Sequence, residues 1–257
     1  MSTVLDVTIC LVLVGVAIGT LAVAVPEEGW RSTVDSDPSA VSVGTVTATV
    51  PVEDGHESHG TLAQHLTRAT VLAAVLDGDR LVPSSYPAAT RRVVGYRTAD
   101  RVRITTRWVP YPEAPLEGEI TVGPIPPSTA DVAATRLTVD SGLSTPESPE
   151  STESFATAVA EAYIRRLFPP ERTRLRLVDP RTAAQGADRY RSIAELLAVD
   201  VDDAIVDASP RLANERLAAG LAGRLEADLR SDSSASETVP DGTASGRVEI
   251  VVRRWEP

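Results

Sequence analysis

Three clusters in this chain carry side chains able to do chemistry. The first is His56-Glu57-Ser58-His59, with His65 beyond. Imidazoles at i and i+4 on a helix can grip a zinc ion. His56 and His59 miss that spacing, and Gly55 and Gly60 flank them, so the segment reads as a solvated loop. The second is Asp200, Asp202 and Asp203 in VDVDDAIVD. Carboxylates at close spacing suit Ca²⁺, which needs six to eight oxygens. No EF-hand spacing or glycine turn accompanies these aspartates, so they read as a hydrated acidic surface. The third is basic: Arg165 and Arg166, then Arg172, Arg174 and Arg176. Such a stretch suits anionic lipid headgroups or an acidic partner. Its alternation with Leu and Val over Arg172–Val178 reads as a strand whose arginine face meets solvent and pairs with Glu and Asp.

Signatures of common enzymes are missing. The sequence has no G-x-S-x-G elbow, no Walker A loop and no G-x-G-x-x-G. The single cysteine, Cys10, lies in an apolar run, which removes nucleophilic thiols from the rest of the chain. No catalytic, metal or cofactor-binding residue is assigned, and no cofactor is expected. Acid–base chemistry by paired carboxylates stays open, because acidic residues are abundant.

The balance of charge narrows the partners. The 257 residues include 36 acids against 25 bases, for a net charge of −11, and every one of the bases is arginine. Nucleic acid binding needs clustered cations to neutralise phosphates. The arginines here are spread along the chain among Asp and Glu, so nucleic acid is not an expected partner.

The elements that must position these residues fall into an expected α+β arrangement. Val7–Val25 is an uncharged run of a length that spans a bilayer core. It is expected to be a transmembrane helix over residues 1–25, making the lipid bilayer a partner. The protein would then sit in the cell membrane as a single-pass protein, its C-terminal domain extracytoplasmic. Residues 26–40 read as a tether. Residues 41–143 read as a β-rich region with one helix. Its strands fall at Val41–Val52, Arg92–Gly95, Arg101–Val109, Glu117–Val122 and Thr135–Val139, and its helix at His59–Leu76. In the strand Arg101–Val109, Val102, Ile104, Thr106 and Trp108 share a face. The segment 144–154, acidic and proline-rich, reads as a linker. Residues 155–257 read as a helix-rich region, with helices at Phe155–Phe168, Thr182–Val199 and Pro210–Leu229 and a final strand at Arg247–Trp255.

One resemblance bears on function. Ser2-Thr3-Val4-Leu5-Asp6-Val7, running into a glycine-punctuated apolar helix, resembles the N-terminal segment of type IV pilin-like and Tad-type pseudopilin proteins. In those families an acidic residue sits near the start of the helix, and Asp6 falls at that place. The resemblance implies that Asp6 contacts a neighbouring subunit, so other membrane or pilus-like subunits are expected partners. The acid excess, the absence of lysine and the abundant Ala, Val, Thr and Asp resemble the style of haloarchaeal proteins. The expected function is a non-enzymatic, membrane-anchored surface or assembly component, accessory to a pilus-like or secretion system. The alternative is a membrane-anchored extracytoplasmic hydrolase acting through carboxylates.

Overall fold

The computed structural model describes residues 38–52, 56–143, 151–232 and 246–256. Within them, eight helices and eight strands form an α+β arrangement, and Asp37–Pro257 makes one compact unit. The expected fold, led by a transmembrane helix, is corrected on this ground. No helix among the described residues is long and apolar enough to cross a membrane. Val7–Val25 and Asp6 lie outside the described residues.

The best strand pattern in the sequence forms the middle of the sheet. Strand β5 (Val102–Trp108) buries Val102, Ile104, Thr106 and Trp108 on one face. It pairs antiparallel with β6 (Leu116–Val122), with Thr106 opposite Ile120. On its other side runs β8 (Arg247–Trp255), which in turn pairs with β7 (Val132–Asp140). Two short strands, β3 (Val75–Leu76) and β4 (Asp79–Arg80), extend the sheet beyond β6. The order is therefore β4-β3-β6-β5-β8-β7. The final strand does not close a separate helix-rich half. It occupies an inner position, where Val248, Ile250 and Val252 are buried.

A helical layer covers the apolar face of the sheet. A hairpin of β1 (Thr47–Pro51) and β2 (Glu57–Thr61) leads into α2 (Leu62–Leu72). The helix starts at a capping box, in which Thr61 and Gln64 satisfy each other's backbone N–H. That box sets the start at Leu62, three residues later than the expected His59. Helix α2 lies so close to β6 that a Cβ at Gly118 would stand 2.2 Å from the Thr70 carbonyl oxygen. Only glycine fits there.

Three expected strands are corrected to helix, wholly or in part. The first half of Val41–Val52 is α1 (Pro38–Thr45), where Ala40 and Val43 bury one helical face. The Ser42 and Thr45 hydroxyls donate back to the carbonyls of Pro38 and Val41. Arg92–Gly95 lies within α3 (Tyr86–Arg97), which has proline in its first turn. The region 41–143 thus carries three helices rather than one. Arg172–Val178 belongs to α5 (Pro170–Val178). Pro170 opens it with its fixed φ, and Glu171 complements the helix N-terminus.

The remaining helices are α4 (Thr152–Leu167), α6 (Ala183–Leu197), α7 (Asp202–Val206) and α8 (Pro210–Asp232). Aromatic contacts fasten α4 to the sheet half, and a hydrogen bond does so for α8. Tyr163 of α4 stacks on Trp108 at 5.5 Å and 7°, and its hydroxyl donates to the Val71 carbonyl at 3.3 Å. Tyr111 meets Phe155 edge-on at 6.1 Å and donates to Asp228 at 2.9 Å. Burial holds the Tyr163 phenol well above its usual range.

Candidate functional site, an arginine-lined pocket

The last turn of α4 ends at Phe168, followed by Pro169. Proline at 169 and 170 turns the chain, and α5 begins. The bend is held from behind by the single asparagine of the chain. Asn214 of α8 donates to the Phe168 carbonyl at 2.8 Å and accepts from the Tyr190 hydroxyl at 2.7 Å. Tyr190 of α6 stacks on Phe168 at 4.0 Å. Burial raises the Tyr190 phenol well above its usual range, against the pull of Thr173 and Arg189. The phenol is thus a fixed donor and part of the frame.

In front of this bend is a cavity of about 470 Å³ lined by six arginines. Arg68 comes from α2, Arg165 and Arg166 from α4, Arg172 and Arg176 from α5, and Arg189 from α6. No Asp or Glu lines it among the described residues. Its apolar wall includes Leu72, Leu167 and Phe168.

Arg68 and Arg166 each lie against a fixed neighbour. Arg68 lies over the ring of Tyr86, 4.8 Å from its centroid, and donates to Ser58 Oγ at 3.2 Å. Tyr86 is fully buried and fixed in turn by His65. The His65 ring nitrogens lie 2.7 Å from the Tyr86 hydroxyl and 3.0 Å from the Ala48 carbonyl. A carbonyl only accepts, so His65 Nε2 carries a hydrogen, and in the neutral ring Nδ1 accepts from Tyr86. Arg166 lies against Gly142, whose ideal Cβ would sit 3.7 Å from the guanidinium carbon. Gly142 has a φ of +73°, in the left-handed region, and its N–H donates to the Asp140 carboxylate at 2.6 Å. No ion pair or hydrogen bond engages Arg166 or Arg172 among the described residues. Partial burial, and then the like charge of Arg68, push the Arg166 guanidinium below its usual range.

The basic stretch of the sequence therefore comes together, but in a different form. As a helix, α5 places Arg172 and Arg176 one turn apart, both on the cavity, while Arg174 is exposed. Arg68 and Arg189 come from distant elements, and no local pattern around either one marks them.

The other two clusters are put to structural use. His59 is exposed on β2 beside Thr49, whose hydroxyl lies 2.8 Å from its Nδ1. The expected loop is corrected to strand, since Glu57, Ser58 and His59 lie on β2, while His65, within the expected helix, is buried on α2. The acidic residues of VDVDDAIVD tie helices together. Asp202 accepts from Arg191 at 2.9 Å. Asp203 forms a two-point pair with Arg216, which holds its carboxyl below the usual range. Asp200 accepts from the Asp202 N–H at 3.0 Å. No group of three or more metal-ligating side chains occurs among the described residues.

A family model described as "Family of unknown function (DUF7284)" matches residues 5–255. The chain belongs to that family. No curated protein and no solved structure matches the chain.

Proposed function

We propose that this DUF7284 member is a non-enzymatic binding component, acting in a surface or assembly role, that holds an anionic group in the arginine pocket. One observation carries the reading. In a chain with 36 acids, six arginines from four helices line one cavity, and no carboxylate lines it among the described residues. Because the chain has no lysine, the choice of arginine carries no weight by itself. The exclusion of acids does. The helix C-terminus accounts for Arg165 and Arg166, since cations are favoured in the last turn. The same holds for Arg176 in the last turn of α5, but not for Arg68, Arg172 or Arg189.

The alternative, a carboxylate hydrolase, draws less support. Glu153, Glu161, Glu215 and Glu226 share a groove between α4 and α8. Two of them are already engaged, Glu161 with Arg165 and Glu226 with Arg230, each one helical turn away.

Thermal unfolding in sodium chloride, sulfate and citrate at matched ionic strength tests the reading. Multivalent anions should raise the melting temperature of the parent beyond what chloride does. They should lose that advantage in Arg68→Gln and Arg166→Gln. Equal response of parent and variants to all three salts would overturn the anion-binding reading.

A further inference from the structure

We infer that the pocket takes a phosphoanion: a group bearing two or more negative charges on tetrahedral phosphate, carried by a compact organic body. The inference rests on the anion-binding reading above and goes beyond it to the chemistry of the ligand.

Geometry separates phosphate from carboxylate here. A carboxylate offers acceptors in one plane and a single charge. A phosphate monoester carries about −1.5 to −2 near neutral pH and three strong acceptor oxygens. The six arginines reach the cavity from four helices, α2, α4, α5 and α6, and bring more charge and more donors than one carboxylate can match. Of these, Arg68 and Arg166 are half-buried, and neither has an ion pair among the described residues. Charges brought together out of bulk water repel strongly unless a multiply charged partner offsets them.

Preorganisation points the same way. Arg68 lies over the Tyr86 ring, and Tyr86 is held by His65. Arg189 lies 5.9 Å from the centre of the Phe168 ring. Lying over a ring leaves the Arg68 N–H edge open to oxygen acceptors. The cavity, at about 470 Å³, has the size of small-molecule sites rather than of a bare ion. Its apolar wall at Leu72, Leu167 and Phe168 suits the organic part.

Such a phosphate could be free in solution or borne on a lipid, and two probes distinguish these sources. Inorganic pyrophosphate is titrated calorimetrically into the full chain, with citrate as the carboxylate comparison at equal ionic strength. Vesicles containing phosphatidic acid are tested separately by flotation. The expected result is saturable pyrophosphate binding at one site, weakened about tenfold or more by Arg166→Gln and by Arg172→Gln. Arg174→Gln, on the exposed side of α5, should leave it unchanged, and citrate should bind about tenfold more weakly. Flotation lost in Arg166→Gln, without pyrophosphate binding, would keep the phosphate and assign it to a lipid. Citrate binding as tightly as pyrophosphate would overturn the phosphate assignment and leave the anion pocket standing. No saturable binding of any probe would overturn both. Arg172 is exposed and unpaired among the described residues, so its variant tests the site without disturbing the fold.

Discussion

Tyr86 supports a guanidinium on its face and is itself held by a hydrogen bond at its hydroxyl, and these two roles can be separated by mutation. Tyr86→Phe keeps the ring under Arg68 but leaves His65 Nδ1 without its partner. Denaturant unfolding should show a loss of about 1–2 kcal/mol, with anion binding retained. His65→Leu leaves the Tyr86 hydroxyl buried and unsatisfied and removes a hydrogen bond to the Ala48 carbonyl. It should destabilise by about 1–3 kcal/mol, and it should also weaken anion binding because the Tyr86 ring loses its fixture. A further residue-scale prediction concerns pH. The Asp203 carboxyl is depressed by Arg216, so the pair contributes above the unfolded value of about 3.9 and fades as pH falls through the lower folded value. Melting curves of Arg216→Gln should therefore trail the parent at neutral pH and converge with it in strong acid. At this scale the sequence was legible for types but not for company. The histidines and aspartates were visible as clusters. Only the fold shows that His65 is spent on Tyr86 and the aspartates on arginines.

Among the elements, the sheet strands were the most legible, because burial on one face forces a period of two. Val102, Ile104, Thr106 and Trp108 announce β5, and β8 carries the same alternation. Helix α5 was misread because Arg-Thr-Arg-Leu-Arg-Leu alternates by type while only Thr173 is buried. Short windows of this kind satisfy both periods, and Pro170 with Glu171 was the overlooked start signal. The pocket itself was illegible, since α2, α4, α5 and α6 contribute to it from more than 100 residues of chain. Two element-scale predictions follow from the packing. Gly118→Ala forces a methyl against the Thr70 carbonyl, where the ideal Cβ stands at 2.2 Å. Urea unfolding should show a loss of about 1–3 kcal/mol, the range for overpacking. Truncation after Asp232 removes β8 from between β5 and β7 and exposes Ile104 and Ile250's former neighbours. Circular dichroism should report loss of the fold across the whole chain rather than loss of one strand.

At the scale of the molecule, a net charge of −11 surrounds a cavity that carries concentrated positive charge. The acidic exterior repels polyanions at long range, while the pocket attracts a small anion that can enter it. Salt screens both effects within about a Debye length, close to 10 Å at 0.1 M. The pocket also holds a tension between stability and binding. Arg166 is half-buried and has no counter-ion among the described residues, so its charge destabilises the empty protein and is useful only when an anion arrives. Its folded pKa is lowered, so the charged form is the one the empty fold disfavours, at every pH below that value. The most direct test is denaturant unfolding of the parent and Arg166→Gln, each with and without pyrophosphate. Without pyrophosphate, the variant should be the more stable by up to about 1 kcal/mol, since solvent screens part of the repulsion. With saturating pyrophosphate the order should reverse, because the parent gains binding free energy that the variant has lost. A variant that is less stable than the parent without the anion, and that gains as much from pyrophosphate as the parent does, would contradict the account.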